Sequence, residues 1–133
     1  MARMKAMLGD ACDTFLASYE KERALGLMKV PAAEFAGQNQ ALFSLRPVSW
    51  CREGFYYDRE SRPGRHPYHE AGVYYIQEPS AMAVVALLGP KPGERVLDLC
   101  AAPGGKTTHI ASCLEGRGLL VSNEIHPARA KIL

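Results

Sequence analysis

Residues 95–124 constrain the fold more than any other stretch of the chain. Arg95-Val96-Leu97-Asp98-Leu99 has the apolar composition of a buried parallel strand. It runs into a turn of small residues, Cys100-Ala101-Ala102-Pro103-Gly104-Gly105-Lys106. Thr107 to Glu115 reads as a helix, with Gly116 placed to cap its C-terminus. Leu119 to Asn123 reads as a second strand with Glu124 at its carboxyl end, and His126-Pro127 opens another helix. Strand, turn, helix and strand in that order make a βαβ unit, so the class is α/β with a parallel sheet.

This geometry restricts the chemistry. Ligands of open α/β sheets bind beyond the carboxyl ends of the strands. Small residues let a ligand approach the backbone, and the free N–H groups of the turn and helix start suit a carboxylate or phosphate. An acid at the tip of the second strand accepts hydrogen bonds from ribose hydroxyls. Cys100, Ala101, Ala102, Pro103, Gly104, Gly105, Lys106 and Glu124 are therefore the candidate cofactor-binding residues. S-adenosyl-L-methionine, with its carboxylate, ribose and adenine, fits that set. The plainer alternative is that Asp98 and Glu124 only end their strands at the surface. A nucleoside-triphosphate loop is disfavoured, because Cys100 stands where that motif needs glycine and Pro103 removes an N–H from the cradle. A dinucleotide fold is disfavoured because no GxGxxG run follows Leu99.

The rest of the chain differs in texture. Met4, Met7, Leu8, Ala11, Phe15, Leu16 and Tyr19 recur at helical spacing and are expected to pack into a core. Gly9-Asp10 should split them into two short helices, with Asp10 as N-cap. Lys21 to Lys29 reads as a charged turn or helix end, and Pro31 to Phe35 as the start of a short helix. Between Phe43 and Ile76, β-favouring residues flank an exposed loop, Asp58 to Glu70. Arg52, Arg59, Arg62 and Arg65 are candidate phosphate contacts, although Glu53, Asp58, Glu60 and Glu70 offset them. Pro79 sits in the first turn of a helix that Gly89-Pro90 stops; it is apolar nearly all round, so it should be well buried. The expected organisation is a small α+β domain over residues 1–75 and an α/β domain over residues 76–133.

Composition excludes little beyond this. The net charge of +2 neither requires nor forbids a nucleic-acid partner. No apolar run approaches the roughly 20 residues of a membrane helix, so no membrane association is expected and the default location is cytoplasmic. The 4 cysteines have no CxxC spacing and read as reduced thiols. No metal site is expected, since His66 and His69 are the only near pair and lie in a loop.

Asp98 to Thr107 resembles the cofactor motif of the Sun-type (NSUN-like) RNA cytosine-C5 methyltransferases. Tyr75-Ile76-Gln77-Glu78-Pro79-Ser80-Ala81-Met82 resembles the stretch preceding it in that family, and Asn123-Glu124 with Arg129 resembles the next motif. Trp50-Cys51 to Tyr57 and the loop to His69 are most similar to the bacterial ribosomal-RNA branch, the RsmF type. The resemblance is strong from Trp50 onward and looser before it.

The resemblance implies a Rossmann-like S-adenosylmethionine-dependent methyltransferase domain preceded by the small α+β domain. It implies methyl transfer to cytosine carbon 5 in structured RNA, ribosomal RNA above all. It implies that Cys100 to Lys106 wrap the methionine end of the cofactor, that Lys106 adds a charge contact, and that Glu124 holds the ribose. Family members use cysteines in Pro-Cys and Thr-Cys motifs further downstream, and this chain contains neither dipeptide. No catalytic residue is therefore assigned; Cys100 belongs to the turn and Cys113 to the helix. Arg23-Ala24-Leu25-Gly26-Leu27-Met28-Lys29-Val30 only approximates the family's arginine-rich phrase. Because two parallel strands cannot form a covered sheet, the expectation is the N-terminal portion of a longer enzyme, silent alone. The alternative is a non-catalytic RNA- or ribosome-binding module.

Overall fold

The computed structural model describes residues 2–30 and 42–133. The helix start expected at Pro31 to Phe35 lies outside them.

Four short strands form an antiparallel sheet: β1 (Gly26–Lys29), β2 (Arg46–Val48), β3 (Cys51–Tyr56) and β4 (Tyr74–Ile76), in the order β2-β3-β1-β4. β1 is thus central. Leu27 pairs with Phe55 on one side and Ile76 on the other, and both Leu27 and Met28 are fully buried. This corrects the expected turn at Lys21 to Lys29. The segment has no strand composition of its own, and its neighbours on both sides supply the hydrogen bonds that make it one.

The two faces of this sheet bury different clusters. On one, Leu27, Phe43, Leu45 and Tyr74 pack together, with Phe43 and Tyr74 edge to face at 5.6 Å. On the other, Met28, Val48 and Cys51 pack against Met82. The loop after β3 is mostly exposed but ordered. It makes two 3₁₀ turns (59–61 and 63–65) and the short helix α3 (Pro67–Glu70), and is tied down by the Tyr74 hydroxyl donating to the Pro63 carbonyl at 2.8 Å.

At the N-terminus, α1 (Ala2–Leu8) and α2 (Ala11–Ala17) are separated by Gly9 at φ +52°. Asp10 occupies the N-cap position but its side chain makes no capping bond. The expected core stripe is corrected: Met7 and Tyr19 are 75% and 74% exposed, and only Cys12 of these helices is buried. Helical periodicity identifies the face but does not supply a partner to cover it.

α4 (Pro79–Leu88) links the sheet to the parallel unit, β5 (Arg95–Asp98), α5 (Gly105–Leu114), β6 (Leu119–Ser122) and the short α6 (Pro127–Ala130). Met82 faces the antiparallel sheet, while Val85 joins Ile110 and Leu114 of α5. Gly89 in the left-handed region ends α4, its N–H bonded to the Val85 carbonyl. Only one side of α4 is covered, since Leu87 is 87% exposed. β5 and β6 pair in parallel, Arg95 with Leu119 through Asp98 with Ser122. The buried strand expected at Arg95 to Leu99 is buried on one face only. α5 covers one face, and Leu97, Leu99, Leu119 and Val121 on the other are exposed. α5 starts two residues earlier than expected, and its C-cap is Glu115 at φ +51°, with Gly116 following.

Candidate functional site

The turn after β5 is held from beneath by Asp98. This carboxylate is nearly buried and accepts from the Thr107 hydroxyl at 2.7 Å and from the Cys100 N–H at 3.2 Å. Asp98 therefore does not merely end a strand at the surface; it clamps the start of α5 onto the turn. The Gly104 N–H bonds to the Ala101 carbonyl and the Thr108 N–H to the Gly104 carbonyl, which closes the turn into the helix. Gly104 has φ +116°, a conformation L side chains rarely adopt.

The end of β6 is stitched to the same turn. The Asn123 N–H donates to the Asp98 carbonyl at 2.8 Å, and the Ala101 N–H to the Asn123 carbonyl at 3.0 Å. Glu124 follows directly. Its side chain is 5% exposed, accepts from the His126 N–H at 3.0 Å and lies 3.6 Å from the Arg129 guanidinium. The His126 N–H holds the Glu124 carboxyl below its ordinary pKa; burial opposes this, and the Arg129 charge and the Ala102 N–H reinforce it. Arg129 also donates to the Ala102 carbonyl at 2.6 Å, so one guanidinium ties the acid to the turn.

A cleft of about 290 Å³ opens beside the turn. Ala101, Ala102, Pro103, Gly105 and Lys106 line it on one side, and Tyr75, Gln77 and Glu78 on the other. Cys100, Gly104 and Glu124 are not part of this lining; Glu124 joins the turn through Ala102, and Cys100 is exposed. Tyr75 and Gln77 are contributors that the sequence reading missed. The Tyr75 hydroxyl donates to the Pro103 carbonyl at 3.3 Å. Gln77 is 7% exposed, and its Oε1 has no hydrogen-bond partner among the described residues. A side chain added at Gly105 would sit 3.2 Å from both Gln77 and Tyr75.

A second cleft, about 340 Å³, lies at the sheet edge, lined by Arg23, Arg46 and Arg59 around Tyr56, Tyr57 and Asp58. Of the four arginines expected to contact phosphate, Arg52 on β3 and Arg59, Arg62 and Arg65 in the loop, only Arg59 lines it. Arg46 lies 5.8 Å over the Tyr56 ring and 3.8 Å from Asp58. His66 and His69 make separate polar contacts. His66 Nδ1 accepts from the Tyr68 N–H, and His69 sits 3.7 Å from Glu70.

The comparisons with known proteins decide the family. Residues 1–79 match the N-terminal domain of 16S rRNA methyltransferase RsmF, and residues 85–133 match 16S rRNA methyltransferase RsmB/F. The chain belongs to the RsmF family. The ribosomal RNA small subunit methyltransferase F of Citrobacter koseri is 39% identical over 91% of this chain and 28% of its own length. That of Serratia proteamaculans is 38% identical over 91% of this chain and 27% of its own length. The chain thus spans about a quarter of these RsmF relatives. A crystal structure of a methyltransferase homolog protein from Pyrococcus horikoshii superposes with a TM-score of 0.84 at 28% identity, over 98% of this chain and 45% of the other. The architecture is accordingly a small α+β part followed by the start of a Rossmann-like methyltransferase domain.

Proposed function

We propose that this chain is the cofactor platform and RNA-contacting N-terminal part of an S-adenosylmethionine-dependent 16S rRNA cytosine-C5 methyltransferase. In this reading residues 1–75 contact structured RNA, residues 76–133 hold the cofactor, and the protein works in the cytoplasm. The observation that carries it is the union of a small-residue turn and a recessed acid, Glu124, through Ala102 and Arg129.

The residues suit the cofactor. The unpartnered Gln77 Oε1 beside the cleft is an acceptor of the kind an ammonium group needs. Lys106 in the same lining offers a charge to a carboxylate. Glu124 keeps acceptor capacity beyond what the His126 and Ala102 N–H groups use, for a ribose hydroxyl. Bound there, the cofactor supplies a methyl group on a sulfonium, ready for a carbon nucleophile. The chain's own work is to bind and orient. Cys51 and Cys113 are raised above the ordinary thiol pKa by burial, which keeps them protonated and makes them poor nucleophiles. Neither thiol therefore takes a catalytic role, and no methyl transfer is expected from this chain alone.

The RNA reading rests on the arginine-lined cleft over Tyr56 and Tyr57, whose rings suit base stacking and whose guanidinium groups suit phosphates. Calorimetry with S-adenosylmethionine on the chain and on Glu124→Ala tests the platform. Binding weakened at least about tenfold, one hydrogen-bonded charge in free energy, is expected. Binding indifferent to the substitution removes Glu124 from the site.

A further inference from the structure

One buried cluster lies outside the cofactor platform and plays no part in it. Cys51 and Glu53 stand two residues apart on β3, so their side chains share a face. His109 comes from α5, on the parallel unit. The Cys51 Sγ lies 4.0 Å from His109 Nε2, and one ligand atom from each of Cys51, Glu53 and His109 falls within 4.8 Å of the other two. Cys51 and His109 are each only 2% exposed. His109 Nδ1 has no hydrogen-bond partner among the described residues, and its Nε2 faces the Cys51 sulfur.

We propose that Cys51, Glu53 and His109 bind one zinc(II) ion that fastens the antiparallel sheet to the parallel unit. Thiolate, imidazole and carboxylate are the zinc donor set. Zinc–sulfur and zinc–nitrogen bonds of about 2.3 and 2.0 Å at a tetrahedral angle put those atoms roughly 3.5 Å apart. The observed 4.0 Å separation closes to that with small side-chain rotations. Binding displaces the proton of the Cys51 thiol, since the thiolate is the form that ligates zinc, and the cation then neutralises it beside the half-buried Glu53 carboxylate. The partners lie 58 positions apart in the chain, which is why no paired-ligand spacing announces them.

Cobalt(II) provides the test. The untagged chain is stripped with a chelator, dialysed and titrated with cobalt(II), and the spectrum is recorded. One equivalent should bind with a sulfur-to-metal charge-transfer band and strong tetrahedral visible bands. Cys51→Ser should abolish the charge-transfer band or weaken binding severely, and Glu53→Gln should weaken it about tenfold or more. Absence of these bands in the folded chain overturns the proposal, as do bands unchanged in Cys51→Ser and His109→Gln. Should the variants fail to fold, the unmodified chain still decides. Zinc should slow alkylation of Cys51, mapped by mass spectrometry, and a chelator should restore it. Equal labelling of Cys51 with and without zinc overturns the site.

Discussion

The Thr107 hydroxyl donates to the Asp98 carboxylate at 2.7 Å, joining the end of β5 to the first turn of α5 from beneath the cofactor turn. The same carboxylate takes the Cys100 N–H, so two of its contacts fix the turn at both ends. Thr107→Val keeps the shape and deletes the donor. It should cost about 1.5–3 kcal/mol, the range for a hydrogen bond to a charged group near the interior. Denaturant unfolding at neutral pH measures it; a loss within error would show that the bond does not hold the turn.

Glu124 gives the stability of the chain an acid limb. Its carboxyl is held in the fold below the ordinary carboxylate pKa of about 4.5, first by the His126 N–H. A group depressed on folding stabilises above its unfolded pKa, and that stabilisation is lost as the pH falls through the folded value. Unfolding free energy should therefore decline below about pH 4.5 in the parent chain, and less steeply in Glu124→Gln. Superimposable pH profiles for the two would contradict the assignment.

Gly26 is a packing requirement. A Cβ there would lie 2.8 Å from the Gln77 carbonyl, a backbone atom that cannot swing away. Gly26 and Gln77 are already joined by a hydrogen bond of 3.0 Å from the Gln77 N–H. Gly26→Ala should destabilise by about 1–3 kcal/mol through overpacking. It should also loosen cofactor binding, since Gln77 lines the cleft. Unchanged thermal unfolding would show that the strand shifts freely.

The second cleft predicts a salt-dependent partner. Replacing Arg23, Arg46 and Arg59 together by alanine should abolish binding to a 16S rRNA fragment at low salt and flatten the salt dependence of what remains. Filter binding across a salt series reads both. Equal affinity in the triple variant would move the RNA surface elsewhere.

How much of this was legible in the sequence varies with locality. Residues 95–124 were readable because every cue there is local: an apolar run, small residues, a helix period and an acid at fixed distance. The central strand was not. Gly26-Leu27-Met28-Lys29 becomes a strand only when β3 and β4 flank it. Tyr75 and Gln77 lie in a stretch with family likeness, but their place across the cleft from Lys106 depends on how α4 crosses between the two sheets. The exposed faces of α1, α2 and β5 show the converse, since an apolar pattern marks a surface to be covered without naming its cover. Cys51 and His109 meet only in the tertiary fold.

The most direct test of the platform is an amide nitrogen–proton correlation spectrum of the labelled chain titrated with S-adenosylmethionine. Shifts should concentrate at Ala101, Ala102, Gly104, Gly105, Lys106 and Glu124, with Gln77 moving alongside them. Saturating cofactor that leaves these amides in place, or moves only those around Arg46 and Tyr56, would contradict it.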